Sequence, residues 1–398
     1  MPTELKEDVY WVGFVDWNVR DFHGYRTDRG STYNAYLVKD EKTALIDTVK
    51  APFAGRLLAN VAEVIDPGAL DYVVCNHAEP DHSGSLPAVM AACEKAELVC
   101  DERCREVLAR HYDTSGWKFK VVADGEELSL GRRTLTFIET PMVHWPESMA
   151  TYVPQEKLLF SMDGFGQHLA ASNRFDDENP LDVIMAEAKS YYANILMLYG
   201  SPIGRTLEKA AGLDIEMIAP SHGVIWRKHL GAIISAYQRW VVQRPAAKVL
   251  VVYDSMWQST AMMAQAIMEG ASGEGVEAKL MHIRSTGNTR IVTEVLDAAA
   301  IAFGSPTLNG TMMPQVAATL TYLKGLKPAG KAGFVFGSYG WAKGAGKDMG
   351  EYLAAMKFDV LREPLLSQNV PGEEVLDECR AAGKMLAGKA RELASAAG

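Results

Sequence analysis

The chain has 398 residues, of which 48% are hydrophobic and 23% charged, and its formal net charge at pH 7 is −10. That length suits two domains, and the composition is ordinary for a water-soluble globular protein. Lys and Arg are scattered along the chain, which argues against a nucleic-acid or anionic-membrane surface. No apolar run approaches the roughly 18 residues that a membrane span requires.

The first residues, Met1 to Asp8, are polar and acidic, so a secretory signal is not expected. The chain has no C-x-x-C pair, which excludes a rubredoxin-type iron centre or a zinc ribbon from this sequence. An odd and sparse set of cysteines is typical of reduced thiols, so we expect a cytoplasmic protein. The cysteines are Cys75, Cys93, Cys100, Cys104 and Cys379.

The first half of the chain alternates short β-rich runs with a few helices. Strands are predicted at Val9–Trp17, Thr32–Val38, Ala44–Thr48, Asp71–Cys75, Arg133–Glu139, Lys157–Met162 and Glu216–Ala219. Helices are predicted at 51–65, from about Ser83, at 180–197 and at 202–212. Polar side chains that could bind metal follow several of these strands, and the ends of strands are where a sheet places functional groups on one rim.

A change of pattern after residues 243–247, Gln-Arg-Pro-Ala-Ala, predicts a linker. Beyond it, apolar strands alternate with helices, which is the signature of a doubly wound parallel sheet. The predicted strands are Lys248–Tyr253, Val276–Ile283, Ala299–Phe303 and Gly333–Phe336, and a final helix is predicted at Glu373–Ala397. The sequence therefore predicts two domains, residues 1–245 and 246–398.

The run His77-Ala78-Glu79-Pro80-Asp81-His82 places four potential metal ligands within six residues, directly after a predicted strand. Further candidates follow at long spacing and are also near strand ends: His144, Asp163 and His222. Four imidazoles and three carboxylates are enough for two metal ions, and mixed nitrogen and oxygen ligation suits iron, manganese or zinc. A second histidine at position 79 would favour zinc. The carboxylate of Glu79 instead favours iron that changes its oxidation state.

The other histidines have no further potential metal ligands grouped with them in the sequence. A lone histidine is more often structural than a ligand, and we interpret four of them in that way: His111, His168, His229 and His282. His23, in Asp21-Phe-His-Gly24, is intermediate between the two groups.

Three loops at strand ends of the second half could bind a mononucleotide. The first, Asp254–Thr260, offers hydroxyls and leads into a helix, a combination that binds phosphate through oriented amides. The others follow later strands, at Ser305–Gly310 and Ser338–Trp341. Trp257, Tyr339 and Trp341 could flank a flat ring. No G-x-G-x-x-G follows a strand, so a dinucleotide fold is not indicated.

The H-x-E-x-D-H cluster resembles the metal-binding motif of the metallo-β-lactamase superfamily. Glu79, in place of the histidine of the dizinc members, resembles the motif of one branch, the flavodiiron proteins. The predicted order of domains, a lactamase-like half before a flavodoxin-like half, is also similar to that of the flavodiiron proteins. The resemblance covers essentially the whole chain. It implies an N-terminal αββα sandwich (α+β), a C-terminal α/β flavodoxin-like sheet, and FMN. It also implies one iron on His77, Glu79 and His144, a second on Asp81, His82 and His222, and Asp163 as the bridge between them. His23 and Tyr191 match positions beside the diiron site.

The positions that the flavin loops match are those that would hold FMN in a flavodoxin. They are Ser255, Met256, Trp257, Gln258, Ser259, Thr260, Ser305, Pro306, Thr307, Leu308, Asn309, Gly310, Ser338, Tyr339, Gly340 and Trp341.

For the function, the resemblance implies an oxidoreductase that reduces dioxygen to water, nitric oxide to nitrous oxide, or both. FMN would relay electrons from a separate donor such as rubredoxin. A head-to-tail homodimer, alone or as a dimer of dimers, would place the FMN of one chain beside the irons of the other. Two alternatives stay open at this point. One is a dizinc hydrolase fused to a flavodoxin module, and the other is a non-catalytic flavin electron carrier or gas sensor.

Overall fold

A computed structural model describes residues 1–273 and 275–397. The chain divides into two compact units. The first comprises residues 1–191 and 201–238, and the second comprises residues 192–200 and 239–398. Segment 192–200 therefore groups with the second unit, whereas the sequence places it within domain 1–245. The domain boundary at 245/246 stays a prediction. Within the described residues, no helix is both long enough and apolar enough to cross a membrane.

The first unit contains two large sheets and two small hairpins. Its strands are β1 (Thr3–Lys6), β2 (Val9–Trp11), β3 (Phe14–Asp16), β4 (Asp21–Phe22), β5 (Tyr25–Arg26), β6 (Ser31–Tyr33), β7 (Tyr36–Val38), β8 (Ala44–Ile46), β9 (Tyr72–Val74), β10 (Glu97–Cys100), β11 (Lys118–Val121), β12 (Glu127–Ser129), β13 (Thr134–Glu139), β14 (Met149–Val153), β15 (Leu158–Met162) and β16 (Met217–Pro220). The order is β1-β2-β7-β8-β9-β10-β11 in a seven-stranded sheet and β12-β13-β14-β15-β16 in a five-stranded sheet. Strand β3 pairs with β6, and β4 with β5.

Helices accompany both sheets. They are α1 (Ala54–Ala62), α2 (Pro80–Ser83), α3 (Leu86–Ala92), α4 (Glu102–His111), α5 (Leu181–Tyr191), α6 (Gly200–Ala210) and α7 (Leu230–Trp240). Short 3₁₀ turns lie at Ala51–Phe53, Pro67–Ala69, Pro154–Glu156, Asp176–Glu178 and Met197–Tyr199, and a π-helical turn lies at Tyr192–Leu196.

Strands β7 to β10 of the seven-stranded sheet are buried on both faces. Alternate residues of its strands, such as Tyr36 and Val38, face the five-stranded sheet, where they pack in one core with Phe137 and Phe160. The intervening residues, such as Leu37, belong to a second core shared with α1, α3 and α4. Because side chains alternate along a strand, a sheet covered on both sides shows a continuous apolar run. This layering confirms the predicted lactamase-like sandwich.

The second unit is one parallel sheet covered by helices. Its strands are β17 (Ala246–Tyr253), β18 (Glu277–His282), β19 (Ala298–Gly304), β20 (Ala332–Tyr339), β21 (Asp359–Val360) and β22 (Leu365–Gln368). Its helices are α8 (Ser259–Ser272), α9 (Ile283–Thr286), α10 (Asn288–Val295), α11 (Pro314–Leu326), α12 (Gly344–Ala355) and α13 (Glu373–Ala396). The order β18-β17-β19-β20, with β22 next to β20, is that of flavodoxins. The doubly wound prediction is confirmed, although β17 begins inside the predicted linker.

Candidate metal and flavin sites

Strand ends bring the seven candidate metal ligands together. Strand β9 ends at Val74, and the chain then passes His77 and Glu79 before α2 begins at Pro80. Strands β15 and β16 run parallel with Met162 paired to Pro220, so Asp163 and His222 follow neighbouring strand ends. His144 lies in the loop between β13 and β14. Six of the seven side chains are buried, and Glu79 is partly exposed.

One group of ligand atoms surrounds one carboxylate oxygen of Asp163. The Nε2 of His144 lies 3.1 Å from Asp163 Oδ2 and 3.3 Å from Glu79 Oε2. The Nε2 of His77 lies 3.2 Å from the same Glu79 oxygen and 3.6 Å from Asp163 Oδ2. These four side chains therefore converge on one point.

A second group surrounds the other oxygen of Asp163. The Nε2 atoms of His82 and His222 lie 3.2 and 3.4 Å from Asp163 Oδ1. The same two atoms lie 3.3 and 3.1 Å from Asp81 Oδ2. Asp163 thus turns one oxygen toward each group, which is the arrangement of a bridging carboxylate.

The chemistry of both groups fits metal ions. Atoms that ligate one metal at about 2.1 Å lie about 3.0–3.5 Å from one another, and the distances above are of that size. The Nε2 atoms of His82, His144 and His222 are buried without a hydrogen-bond partner, as are both oxygens of Asp81 and of Asp163. Leaving so many buried polar atoms unpaired is costly, and metal coordination satisfies them.

The carboxylates and imidazoles of the site shift one another's pKa values. Burial alone would raise the pKa of Asp81, but the charges of His82 and His222 hold it at about 2. Burial likewise opposes protonation of His144, yet the nearby carboxylates of Asp163 and Glu79 raise its pKa to about 10. The carboxylates therefore stay ionised, and the neighbouring imidazoles are in surroundings that favour positive charge. Such a site is suited to binding cations.

Sequence reasoning missed the partners on the far side of the ligand rings. Glu147 is 1% exposed, and its Oε1 lies 2.9 Å from His77 Nδ1 and accepts a bond from the Ala78 amide at 3.3 Å. The Nδ1 of His222 lies 2.6 Å from the Thr32 carbonyl oxygen. Such outer partners fix the ring orientation of a ligating histidine. Glu147 is only three residues from His144, but nothing local links it to His77.

The structure places His23 and Tyr191, the two residues predicted beside the site, next to the candidate ligands. The Nε2 of His23 is 3.4 Å from Glu79 Oε1 and 3.8 Å from Asp81 Oδ2. The hydroxyl of Tyr191 is buried without a hydrogen-bond partner, and the ring lies 6.0 Å from that of His222. His168, which the sequence suggests is structural, is buried between them, with its ring 5.4 Å from His23 and 5.0 Å from Tyr191.

In the second unit, the three predicted loops meet at one pocket of about 680 Å³. Among its lining residues, Trp257 is 83% exposed and Trp341 is 95% exposed. Large aromatic side chains are rarely so exposed unless they meet a partner, and a planar ring is the partner that suits them. A turn at Asn309-Gly310, with φ of 52° and 81°, forms another part of the rim.

Twelve of the sixteen predicted flavin residues line this pocket, and four do not: Ser255, Gln258, Thr260 and Ser305. The hydroxyl of Thr260 hydrogen-bonds with that of Ser338 at 2.9 Å, and Ser305 Oγ accepts a bond from the Met313 amide. The Ser255 hydroxyl is buried without a partner, as a phosphate-binding hydroxyl would be before its ligand arrives. The sequence missed three lining residues, Ala342, Asn369 and Val370.

Comparison with known proteins identifies both halves. Residues 32–223 match the family model of the ODP family beta lactamase, and residues 251–383 match that of flavodoxin. The chain is 46% identical over 393 residues to a nitric oxide reductase of Moorella thermoacetica, which covers 98% of each chain. It is 43% identical over 374 residues to the rubredoxin-oxygen oxidoreductase of Megalodesulfovibrio gigas, which covers 93% of each.

Among solved structures, the flavodiiron protein of Giardia intestinalis superposes with a TM-score of 0.98 at 41% identity, over 100% of this chain and 98% of that one. A lactamase-like unit with a His and carboxylate cluster, together with a flavodoxin-like unit, defines a metalloflavoprotein. The chain belongs to the flavodiiron protein family, which confirms the resemblance drawn from the H-x-E-x-D-H motif.

Proposed function

We propose that this chain is an oxidoreductase that reduces dioxygen to water, nitric oxide to nitrous oxide, or both, at a non-haem diiron site with FMN as electron relay. The observation that carries the proposal is Asp163, whose two oxygens face two separate groups of buried ligand atoms. The names of two relatives, a nitric oxide reductase and a rubredoxin-oxygen oxidoreductase, support both nitric oxide and dioxygen as candidate substrates.

Seven side chains hold the irons in this proposal. His77, Glu79 and His144 would hold the first, Asp81, His82 and His222 would hold the second, and Asp163 would offer one carboxylate oxygen to each. This division follows the two groups of distances described above. The partly exposed Glu79 lies on the pocket shared with Phe22 and Tyr112, so this side of the site faces the route from solvent.

When bound, the irons and FMN supply the electrons and the open coordination positions that the reduction of a diatomic gas requires. The protein supplies position and protection from water. We assign His23 and Tyr191 to holding the substrate, because His23 Nε2 and the Tyr191 hydroxyl are buried polar atoms without hydrogen-bond partners beside the ligands. Glu147 and the Thr32 carbonyl keep the rings of His77 and His222 in place.

For FMN, the pocket residues divide by chemistry. The exposed indoles of Trp257 and Trp341 suit contact with the flavin ring, and the hydroxyls at the start of α8 suit the phosphate. The full set proposed to hold FMN is Ser255–Thr260, Ser305–Gly310 and Ser338–Trp341.

The partners and assembly are also proposals. A rubredoxin-like protein would donate the electrons, as the name of the Megalodesulfovibrio gigas relative suggests. A head-to-tail homodimer or a dimer of such dimers would bring FMN and iron sites of different protomers together, and sedimentation of the purified protein tests it. Five free cysteines fit a cytoplasmic location. The domains proposed are residues 1–245 and 246–398.

A gas-consumption experiment tests the function. Pre-reduced, iron- and FMN-loaded protein with excess reduced rubredoxin would receive oxygen or nitric oxide in parallel, with each gas followed by electrode. Catalytic oxygen loss with water as product supports oxygen reduction, and nitric oxide loss with nitrous oxide as product supports nitric oxide reduction. If neither gas is consumed over many turnovers, the proposal is wrong and the carrier or hydrolase alternatives stand.

A further inference from the structure

We propose that the first unit contains a docking cavity for the diatomic gas on the outer face of its five-stranded sheet. A cavity of about 150 Å³ lies between β13–β16 and the helices α6 and α7. Its walls are largely aliphatic and aromatic. They include Ile138, Ala150, Leu159, Ile203, Leu207 and Ile218. This inference rests on the proposed gas reduction, because that reaction defines the ligand.

Two walls of the cavity are the loops that carry metal ligands. Val143, which lines the cavity, directly precedes His144. Gly164, which also lines it, directly follows Asp163. The cavity therefore adjoins the two loops that carry His144 and Asp163.

The polar groups nearest the metal-ligand loops are paired with each other, and the remaining polar wall residues are Thr140, Thr206 and the exposed Gln238. Ser161 Oγ donates to the Gly164 carbonyl at 2.6 Å, and the Phe165 amide donates to the Tyr237 hydroxyl at 2.7 Å. Among the described residues, no buried unpartnered side-chain atom belongs to the cavity lining. The walls offer few polar groups to water or an ionic ligand, so an apolar ligand is favoured.

The size of the cavity restricts that ligand further. Protein cores rarely contain large voids, because every missing contact reduces stability. An engineered apolar cavity of about 150 Å³ stays dry and takes up benzene or xenon. The cavity described here has the same volume, so it has no room for an acyl chain or a folded peptide. Dioxygen and nitric oxide are small and weakly polar, and they fit both the volume and the lining.

Xenon is the probe, and its binding does not depend on activity. Crystals of the wild-type holoenzyme would be pressurised with xenon, and the cavity examined by anomalous diffraction. Leu207→Trp fills the cavity from α6, and Leu213→Trp is the matched control, because Leu213 is half-buried and does not line it. We expect xenon in the wild type and in the control but not in Leu207→Trp.

Gas kinetics complete the test. In Leu207→Trp the KM for the gas should rise several-fold with a smaller effect on kcat, while the iron and FMN contents stay unchanged. The kinetics of the control variant Leu213→Trp should equal those of the wild type. Absence of xenon in a wild-type enzyme that turns over, or an unchanged KM in the filled variant, overturns the cavity proposal alone. Xenon in the cavity of an enzyme that consumes neither gas overturns the proposed function and the ligand assigned here with it.

Discussion

Replacing Glu147 should weaken iron binding although Glu147 is not itself among the proposed ligands. Glu147→Leu keeps most of the side-chain volume, so it avoids the added cost of a cavity. It removes the acceptor 2.9 Å from His77 Nδ1 and 3.3 Å from the Ala78 amide. Both donors are buried, so no water replaces the carboxylate.

The magnitude follows from the kind of contact that is lost. Removal of a hydrogen-bond partner behind a ligating histidine typically reduces metal affinity about 10- to 100-fold, which corresponds to about 1.4–2.7 kcal/mol. The two unpaired donors would also lower the free energy of unfolding of the metal-free protein by about 1–3 kcal/mol. Glu147→Gln keeps an oxygen acceptor but not the charge, so its loss of affinity should be smaller.

Competition with a chelator measures the effect. Wild type, Glu147→Gln and Glu147→Leu would be equilibrated with graded chelator, and bound iron counted by mass spectrometry, with FMN content as the control for general unfolding. The expected order of affinity is wild type, then the glutamine variant, then the leucine variant. Wild-type iron affinity in a folded Glu147→Leu would refute the reasoning, since the His77 ring would then need no partner at Nδ1.

Three further predictions concern other parts of the chain. Glu79→His replaces an anionic oxygen ligand by a neutral nitrogen, so it should shift the metal content from iron toward zinc and abolish gas reduction. A variant that keeps both iron and activity contradicts the role given to Glu79. Trp341→Ala should raise the Kd of FMN about two- to tenfold, the size of one ring contact, whereas equal loss of iron would indicate unfolding. Burial, opposed by the hydrogen bond from the Cys104 amide, raises the pKa of Asp101 to about 6, above about 3.9 in the unfolded chain. The stability that the protonated acid provides is therefore lost as pH rises through about 6. Asp101→Asn stays neutral and should gain about 1–2 kcal/mol over wild type between pH 5 and pH 8, after allowance for solvent screening. The melting temperatures of the two proteins at both pH values measure that gain, and an equal difference at pH 5 and pH 8 would contradict it.

The sequence predicted the sheets and the first group of candidate ligands because both depend on local patterns, and the structure brings these residues close to the later candidates His144, Asp163 and His222. A strand followed by H-x-E-x-D-H is visible in one stretch, and the parallel strands of the second unit are continuous apolar runs. Strand boundaries were less accurate. Val9–Trp17 was predicted as one strand, but the chain forms β2 and β3, which pair with β7 and β6. A Cβ on Gly13, between them, would lie 2.2 Å from the Tyr33 carbonyl oxygen, so that close approach needs glycine.

Features that depend on distant partners could not be read from the sequence. Glu147 contacts a histidine 70 residues away, and no local pattern distinguishes it from the other acidic residues of the chain. Asn369 and Val370 join the flavin pocket only because β22 lies beside β20. The cavity between β13–β16 and the helices α6 and α7 is a space left between packed side chains. Periodicity predicts which residues are buried but not where their packing is incomplete.

The charge of the ligand set connects the metal site to redox chemistry. Four neutral imidazoles and the carboxylates of Glu79, Asp81 and Asp163 carry three negative charges in a largely buried site. Two divalent cations would leave a net charge of plus one, and two trivalent cations a net charge of plus three. Each negative ligand lowers the cost of the higher oxidation state, since charge in a buried site is poorly screened. A histidine at position 79 would add one positive charge to every state and penalise the oxidised pair most. In the proposed site, Glu79 would therefore make the higher oxidation state of the metal pair accessible in addition to serving as a ligand, and hydrolysis at a zinc pair would not require this.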